Sequence, residues 1–109
     1  MWNHNVHFHG YLLRQLPMKI NLALDVGCGL GLFARKLAER SLTVDALDVD
    51  GAILKEAVFQ HNASNIRYQQ ADFLEADLPK DSYDVIVSIA SLHQMDVEYK
   101  LQIKVLKAK

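Results

Sequence analysis

"INLALDVGCGLGLFARKLAER", residues 20–40, passes from an apolar run through three alternate glycines into a helical period. Ile20 to Val26 is compact and apolar, which predicts a strand. Gly27, Gly29 and Gly31 follow at alternate positions. Glycine costs chain entropy and offers no packing, so this spacing predicts a loop that something approaches closely. From Leu30 to Arg40 the apolar positions Leu30, Phe33, Ala34, Leu37 and Ala38 recur at helical spacing, with Arg35, Lys36, Glu39 and Arg40 on the other face.

The same strand-helix alternation runs along the chain. "GYLLRQL" (10–16) reads as a short helix stopped by Pro17. "SLTVDALDV" (41–49) reads as a second strand, and Asp50 is placed to cap a helix whose buried stripe is Ile53, Leu54, Ala57 and Val58. "NIRYQQ" (65–70) is a third, weaker strand, and "YDVIVSIA" (83–90) is nearly all apolar, as a strand covered on both faces should be. Asp96 is placed to cap a last helix carrying Val97, Leu101 and Val105, with Lys100, Lys104 and Lys107 towards its negative end. The expectation is one α/β domain over residues 1–109: a Rossmann-like parallel sheet of about four strands with flanking helices.

Composition narrows the function. At 109 residues, folding buries roughly 65% of the unfolded chain's surface, enough for one core. A net charge of −1 creates no field drawing the chain to nucleic acid or to an anionic membrane. Cys28 is the single cysteine, so there is no intramolecular disulfide framework. No apolar run approaches a membrane span, and "MWNHNVHFHG" is too polar for a secretory signal. A cytoplasmic location is therefore expected.

In open parallel sheets ligands bind at the carboxyl ends of the strands. Asp25, Asp48 and Asp72 fall at or just past the ends of the first three strands, spaced 23 and 24 residues apart. Each has a purely structural alternative. Asp25 can orient the glycine turn, Asp48 can cap the next helix, and Asp72 can start the turn "ADFLEADLP". The glycine spacing separates candidate ligands. A dinucleotide fingerprint needs its third glycine at position 32, which is Leu32, and no Gly-Lys-Ser/Thr phosphate loop is present. Asp48, 21 residues beyond Gly27, still suits a ribose diol. A nucleoside carrying something other than phosphate fits best.

"LDVGCGLG" followed by "ALDVD", "QQADFLEADLP" and "SYDVIVSIASLHQM" resembles the class I S-adenosylmethionine-dependent methyltransferases. The resemblance runs from about Asn3 to about Met95, and "WNHNVHFHGYLL" is similar to a lead-in of some of these enzymes. It implies that Gly27, Gly29 and Gly31 let the loop lie against the methionine and ribose portion of S-adenosylmethionine. Asp25 would orient that loop and the cationic amino group. Asp48 would accept both ribose hydroxyls, and Val49 would cover one adenine face. Asp72 would accept from the adenine amine, with the Phe73 amide opposite a ring nitrogen. Ser88 and Ile89, ending the fourth strand, would border the methionine arm.

Other residues are weighed beside this set. Cys28 lies where a thiol pKa can fall, yet between two glycines a small loop residue is the simpler role. His4, His7 and His9 lack a cysteine or carboxylate to complete a metal set, so no metal is expected and the segment reads as a lid. His93 stands just past the fourth strand, with an ordinary pKa near 6.5 that suits a general base; a helix-start histidine is the alternative. The family's full domain has seven strands, whereas here four are expected, leaving the fourth as an apolar edge. That edge is expected to pair with a second copy or to lie under the C-terminal helix. The two readings carried forward are a methyltransferase acting on a small-molecule acceptor and a non-catalytic cofactor-binding module.

Overall fold

The computed structural model describes the backbone of residues 4–78, 80–88, 90–91 and 101–102, with side chains over 9–78 and 81–88. Its elements are α1 (His4–Gln15), β1 (Ile20–Val26), α2 (Leu32–Ala38), β2 (Ser41–Asp48), α3 (Gly51–His61), β3 (Ile66–Gln70), β4 (Val85–Ser88), β5 (Ala90–Ser91) and β6 (Leu101–Gln102). β1 to β4 form one parallel sheet in the order β3-β2-β1-β4. The α/β, Rossmann-like expectation holds. The strand order reverses between β1 and β4, and a ligand crevice belongs at that switch point.

Side-chain alternation assigns the two faces of the sheet. Ala23, Val44, Ala46, Val85 and Val87 join one core with Leu12 of α1, Leu16 just beyond it, Phe33 and Leu37 of α2 and Leu54 of α3. Leu24, Leu47 and Ile86 point to the opposite face, where buried Tyr83 and half-buried Phe73 and Leu78 cover them. Asp25 and Asp48 share parity with Ala23 and Ala46, so both belong to the helical face.

Polar anchors fix the layers. Arg40 Nη1 donates to the Leu13 carbonyl at 2.7 Å, tying α1 to the end of α2. Asp84 Oδ2 accepts the Asn21 and Leu22 amides at 3.0 Å each, which sets β4 beside β1. On the far face Tyr83 Oη donates to Asp45 Oδ2 at 2.6 Å, and Arg67 Nη2 donates to the same oxygen at 2.9 Å. Burial, then the Asp45 hydrogen bond, pushes the Tyr83 phenol well above its ordinary pKa, so it stays a donor.

Several boundaries differ from the sequence expectation. The first helix starts at His4 rather than at residue 10 and packs against the core, so the segment is not a free lid. α2 begins at Leu32 because Gly31, at φ 85°, is a left-handed N-cap; Leu30 is left in the loop, 44% exposed. Asp50 caps α3 as expected, its carboxylate accepting from the Ala52 and Ile53 amides at 3.0 and 3.3 Å. Of the expected stripe, Leu54 and Ala57 are buried, Ile53 is half-buried and Val58 is exposed. Leu101–Gln102 pairs antiparallel with Ala90–Ser91 as a strand, not a helix. "LQIKV" (101–105) alternates apolar and polar residues, a period of two that competes with the helical spacing of Val97, Leu101 and Val105. The rest of that expected helix lies outside the described residues. β4 is the sheet's edge among the described strands.

Tyr83→Phe removes one buried hydrogen bond to a carboxylate while keeping the ring. It is expected to lower stability by about 1–3 kcal/mol, read as a lower urea midpoint at unchanged m-value.

Candidate functional site

The glycine loop joins β1 to α2 at the carboxyl edge of the sheet. Gly27, Gly29 and Gly31 all adopt left-handed φ angles of 72°, 57° and 85°. An L-residue there costs about 1–2 kcal/mol. The three glycines differ in what lies above them. A Cβ built on Gly27 or Gly29 meets nothing within 4 Å, so the loop presents an open floor at these two positions. A Cβ on Gly31 collides with the Tyr68 hydroxyl, so this glycine is required by packing inside the protein. Tyr68 Oη donates to the His61 carbonyl at 2.9 Å, which holds the ring in place.

The second element is Asp48, the last residue of β2. Its Oδ2 accepts the Gly29 amide and its Oδ1 accepts the Asp50 amide, both at 2.9 Å. Its backbone carbonyl accepts the Ala71 amide at 3.0 Å. Asp48 therefore links the loops that follow β1, β2 and β3. The Cys28 amide donates to the Leu47 carbonyl at 2.8 Å and closes the glycine loop onto β2. Asp48 is half-buried, and each carboxylate oxygen keeps a second acceptor direction.

Asp25 lies one residue before the end of β1, between Ala46 of β2 and Val87 of β4. It is 1% exposed, and its Oδ2 has no hydrogen-bond partner among the described residues. Burial, reinforced by the Asp48 charge, raises its pKa to about 7. An unpaired buried acceptor of this kind is costly in a protein interior unless it is protonated or meets a donor.

Beyond β2, Val49 is 65% exposed and its carbonyl accepts from Gln70 Nε2 at 3.2 Å. Asp72 is exposed and serves its own turn: Oδ1 accepts the Leu74 amide at 2.9 Å, and its carbonyl accepts from Glu75 and Ala76. Both readings of Asp72 remain compatible, since this turn's side-chain hydrogen bond uses only one of its two carboxylate oxygens. Phe73 is half-buried against the far-face core. Ser88 ends β4 beside Val26, half-buried. Asp25, the glycine loop, Asp48, Val49, Asp72, Phe73 and Ser88 thus lie along one edge of the sheet. Ile89 and His93 lie outside the described residues.

Cys28 and His9, the other described residues weighed in the sequence, both carry shifted pKa values. Burial and the charges of Asp25 and Asp48 push the Cys28 thiol up to about 12, so it is no nucleophile at neutral pH. His9 packs edge-on against Phe33 with centroids 5.0 Å apart, and its Nδ1 lies 3.4 Å from Lys36 Nζ. Burial and the Lys36 charge lower its pKa to about 4, so it is a neutral packing residue. Among the described residues no three His, Cys, Asp or Glu side chains are grouped to hold a metal. No helix among them is long and apolar enough to cross a membrane. A depression of about 400 Å³ between α3 and β3, lined in part by Leu54, Val58 and Tyr68, shares none of the expected cofactor residues.

Two contributors escaped the sequence reading. Tyr68 dictates Gly31, and Gln70 fixes the Val49 backbone; the only signal was the alternation in "IRYQQ" that puts Tyr68 on the helical face and Gln70 at the strand's end.

Fold and site together define a parallel α/β domain with an acid-rimmed glycine loop at the carboxyl edge of its sheet. The methyltransferase-domain family model matches residues 23–107. An uncharacterized methyltransferase of Mycobacterium tuberculosis is 39% identical over 95 residues, covering 87% of this chain and 48% of its own length. A solved S-adenosylmethionine-dependent methyltransferase from Mesorhizobium loti is 32% identical with a TM-score of 0.63, over 72% of this chain and 38% of its own. The N-methyltransferase NodS from Bradyrhizobium japonicum, solved with S-adenosylhomocysteine, is 25% identical with a TM-score of 0.66, over 75% and 43%. The chain belongs to the methyltransferase-domain family, of the class I S-adenosylmethionine-dependent type. It spans about half the length of the curated relatives it matches.

Gly31→Ala is expected to destabilise the protein more than Gly29→Ala, because only the former adds a collision to the φ strain. Adding Tyr68→Phe to Gly31→Ala should recover part of that difference in thermal melts, since it removes the nearest atom.

Proposed function

We propose that this chain binds S-adenosylmethionine at the carboxyl edge of its sheet and transfers the methyl group to a small-molecule acceptor. The observation that carries the reading is Asp48, which holds the Gly29 amide while keeping acceptor capacity at the crevice. The donor set of the cofactor suits these residues. A ribose diol offers two donors for the two Asp48 oxygens, and a cationic amino group supplies what the orphaned Asp25 Oδ2 lacks. The open floor over Gly27 and Gly29 leaves room for that approach. Val49 gives exposed apolar surface for a flat ring, with Asp72 and the Phe73 amide reading the ring's edge.

When bound, the cofactor supplies an electrophilic methyl group on a sulfonium. The chain's own contribution is position. The glycine loop and Asp48 set the nucleoside, and Ser88 and Ile89 border the methionine arm. His93 takes a proton from the acceptor. Holding both reactants in one geometry is worth up to several kcal/mol of barrier, so transfer of this kind rests largely on orientation. The overall charge of −1 supports a small acceptor over a polyanion.

A second reading is favoured by one observation. β4 is a buried apolar strand at the sheet's edge among the described strands, so the chain can bind the cofactor yet need a further strand beside β4, from a second copy or another chain, for turnover.

Titration calorimetry against S-adenosylmethionine and NAD tests the cofactor. Binding of the first and not the second is expected, with Asp48→Asn weakening it ten- to a hundredfold or so, the loss of a charge-assisted bond of about 1.5–3 kcal/mol. NAD binding without S-adenosylmethionine binding contradicts the reading. Methyl transfer across an acceptor panel, with His93→Ala losing turnover at unchanged cofactor affinity, separates the enzyme from the module.

A further inference from the structure

Among the described residues, Asp25 is the one buried side chain left with an unpartnered polar atom. It is 1% exposed, and its Oδ2 accepts no hydrogen bond among the described residues. Among the described residues, the groups that act on it bring no positive charge. From β2, Asp48 faces it with a like charge; from the loop, the Cys28 thiol is held protonated, partly by Asp25 itself. From β3 comes the Tyr68 phenol, raised to about 12 by burial and by Cys28 and Asp25. Arg35 of α2 acts on Tyr68 rather than on Asp25. β4 presents Val87, and His9 of α1 is turned to Phe33 and Lys36.

A carboxyl group in this position has two stable arrangements. It can keep its proton, which removes the cost of an unpaired buried charge and the repulsion by Asp48. Or it can ionise opposite a cation that enters from the crevice. The fold supplies only the first.

We propose that cofactor capture here is proton-linked: Asp25, buried beside Asp48 and without a counterion among the described residues, loses its proton to solvent when the cationic end of the cofactor is bound. The proposal rests on the S-adenosylmethionine reading above and adds a regulatory property to it. The balance is simple. The Asp25 O–H bond breaks, the proton goes to buffer, and the carboxylate keeps the electron pair and faces the bound cation. No oxidant or further reactant is involved.

Linkage gives the sign and the window. In the free protein the raised pKa means that Asp25 favours folding in its protonated form. That contribution is complete below about pH 4 and is lost as pH rises through about 7. Binding needs the ionised form, so affinity climbs over the approach to the same midpoint and levels above it.

Calorimetry in buffers of different ionisation enthalpy reads the proton directly. The expected result is release of about one proton per cofactor at pH 6 and close to none at pH 8.5. Relative to Asp25→Asn, affinity should tighten about tenfold between pH 6 and pH 8. Asp25→Asn should lack this contribution and keep only the pH dependence of the cofactor's own amino group. The difference between the two proteins is the quantity that counts, because protons exchanged by the cofactor's own amino group appear in both. Carbon NMR of the Asp25 carboxyl in the free wild-type protein gives a second reading that needs no variant, with a midpoint near 7 expected. Binding heat independent of buffer at pH 6, or a carboxyl titrating in the ordinary aspartate range, overturns the linkage and leaves the cofactor reading standing. No binding heat in any buffer contradicts both.

Discussion

One carboxylate, that of Asp48, organises the end of this sheet where chemistry is expected. Three loops leave the carboxyl ends of β1, β2 and β3, and each is tied to this residue: Gly29 and Asp50 by their amides to its two oxygens, Ala71 by its amide to its carbonyl. Hydrogen bonds to an ionised group are worth about 1.5–3 kcal/mol each, enough to keep a left-handed loop in a single geometry. The arrangement explains how the glycine loop remains ordered with an open floor above it. Nothing needs to fill the space over Gly27 and Gly29 for their backbone to be held.

The cost of that order falls on Asp25. Strand alternation puts it on the same face as Asp48, between the sheet and the helical layer, with apolar neighbours on both flanking strands. Two carboxylates so close in a dry setting cannot both ionise cheaply, and the buried one yields. Under the proposed reading, two neighbouring acids suit ligands that bring both hydroxyl donors and positive charge. A nucleoside bearing a cationic arm has both, whereas a pyrophosphate adds negative charge to two carboxylates. The same electrostatics keeps Cys28 a thiol.

Much of this was legible before the coordinates. β1 runs over Ile20–Val26, as its apolar run implied, because its centre is buried on both faces of the sheet, Ala23 on one and Leu24 on the other. Asp50 capping α3 followed from side-chain chemistry that acts within three residues. What depended on distant partners was not legible. Gly31 reads like Gly27 and Gly29 in the sequence, yet Tyr68, 37 positions away, dictates it. Val58 fits the α3 stripe by spacing, but spacing alone does not say how far around the helix the sheet reaches. The Tyr83-Asp45-Arg67 cluster joins three segments whose register only the folded sheet supplies. Near the C-terminus, two periodicities compete over the same residues, and the pairing of Leu101–Gln102 with Ala90–Ser91 follows the period of two.

The most direct test of the account is a structure of this chain with S-adenosylhomocysteine bound. The account predicts ribose hydroxyls within hydrogen-bond distance of Asp48, the amino group opposite Asp25 Oδ2, and the nucleoside passing over Gly27 and Gly29. A ligand seated instead in the depression between α3 and β3, with Asp48 still bonded only to Gly29 and Asp50, would contradict it.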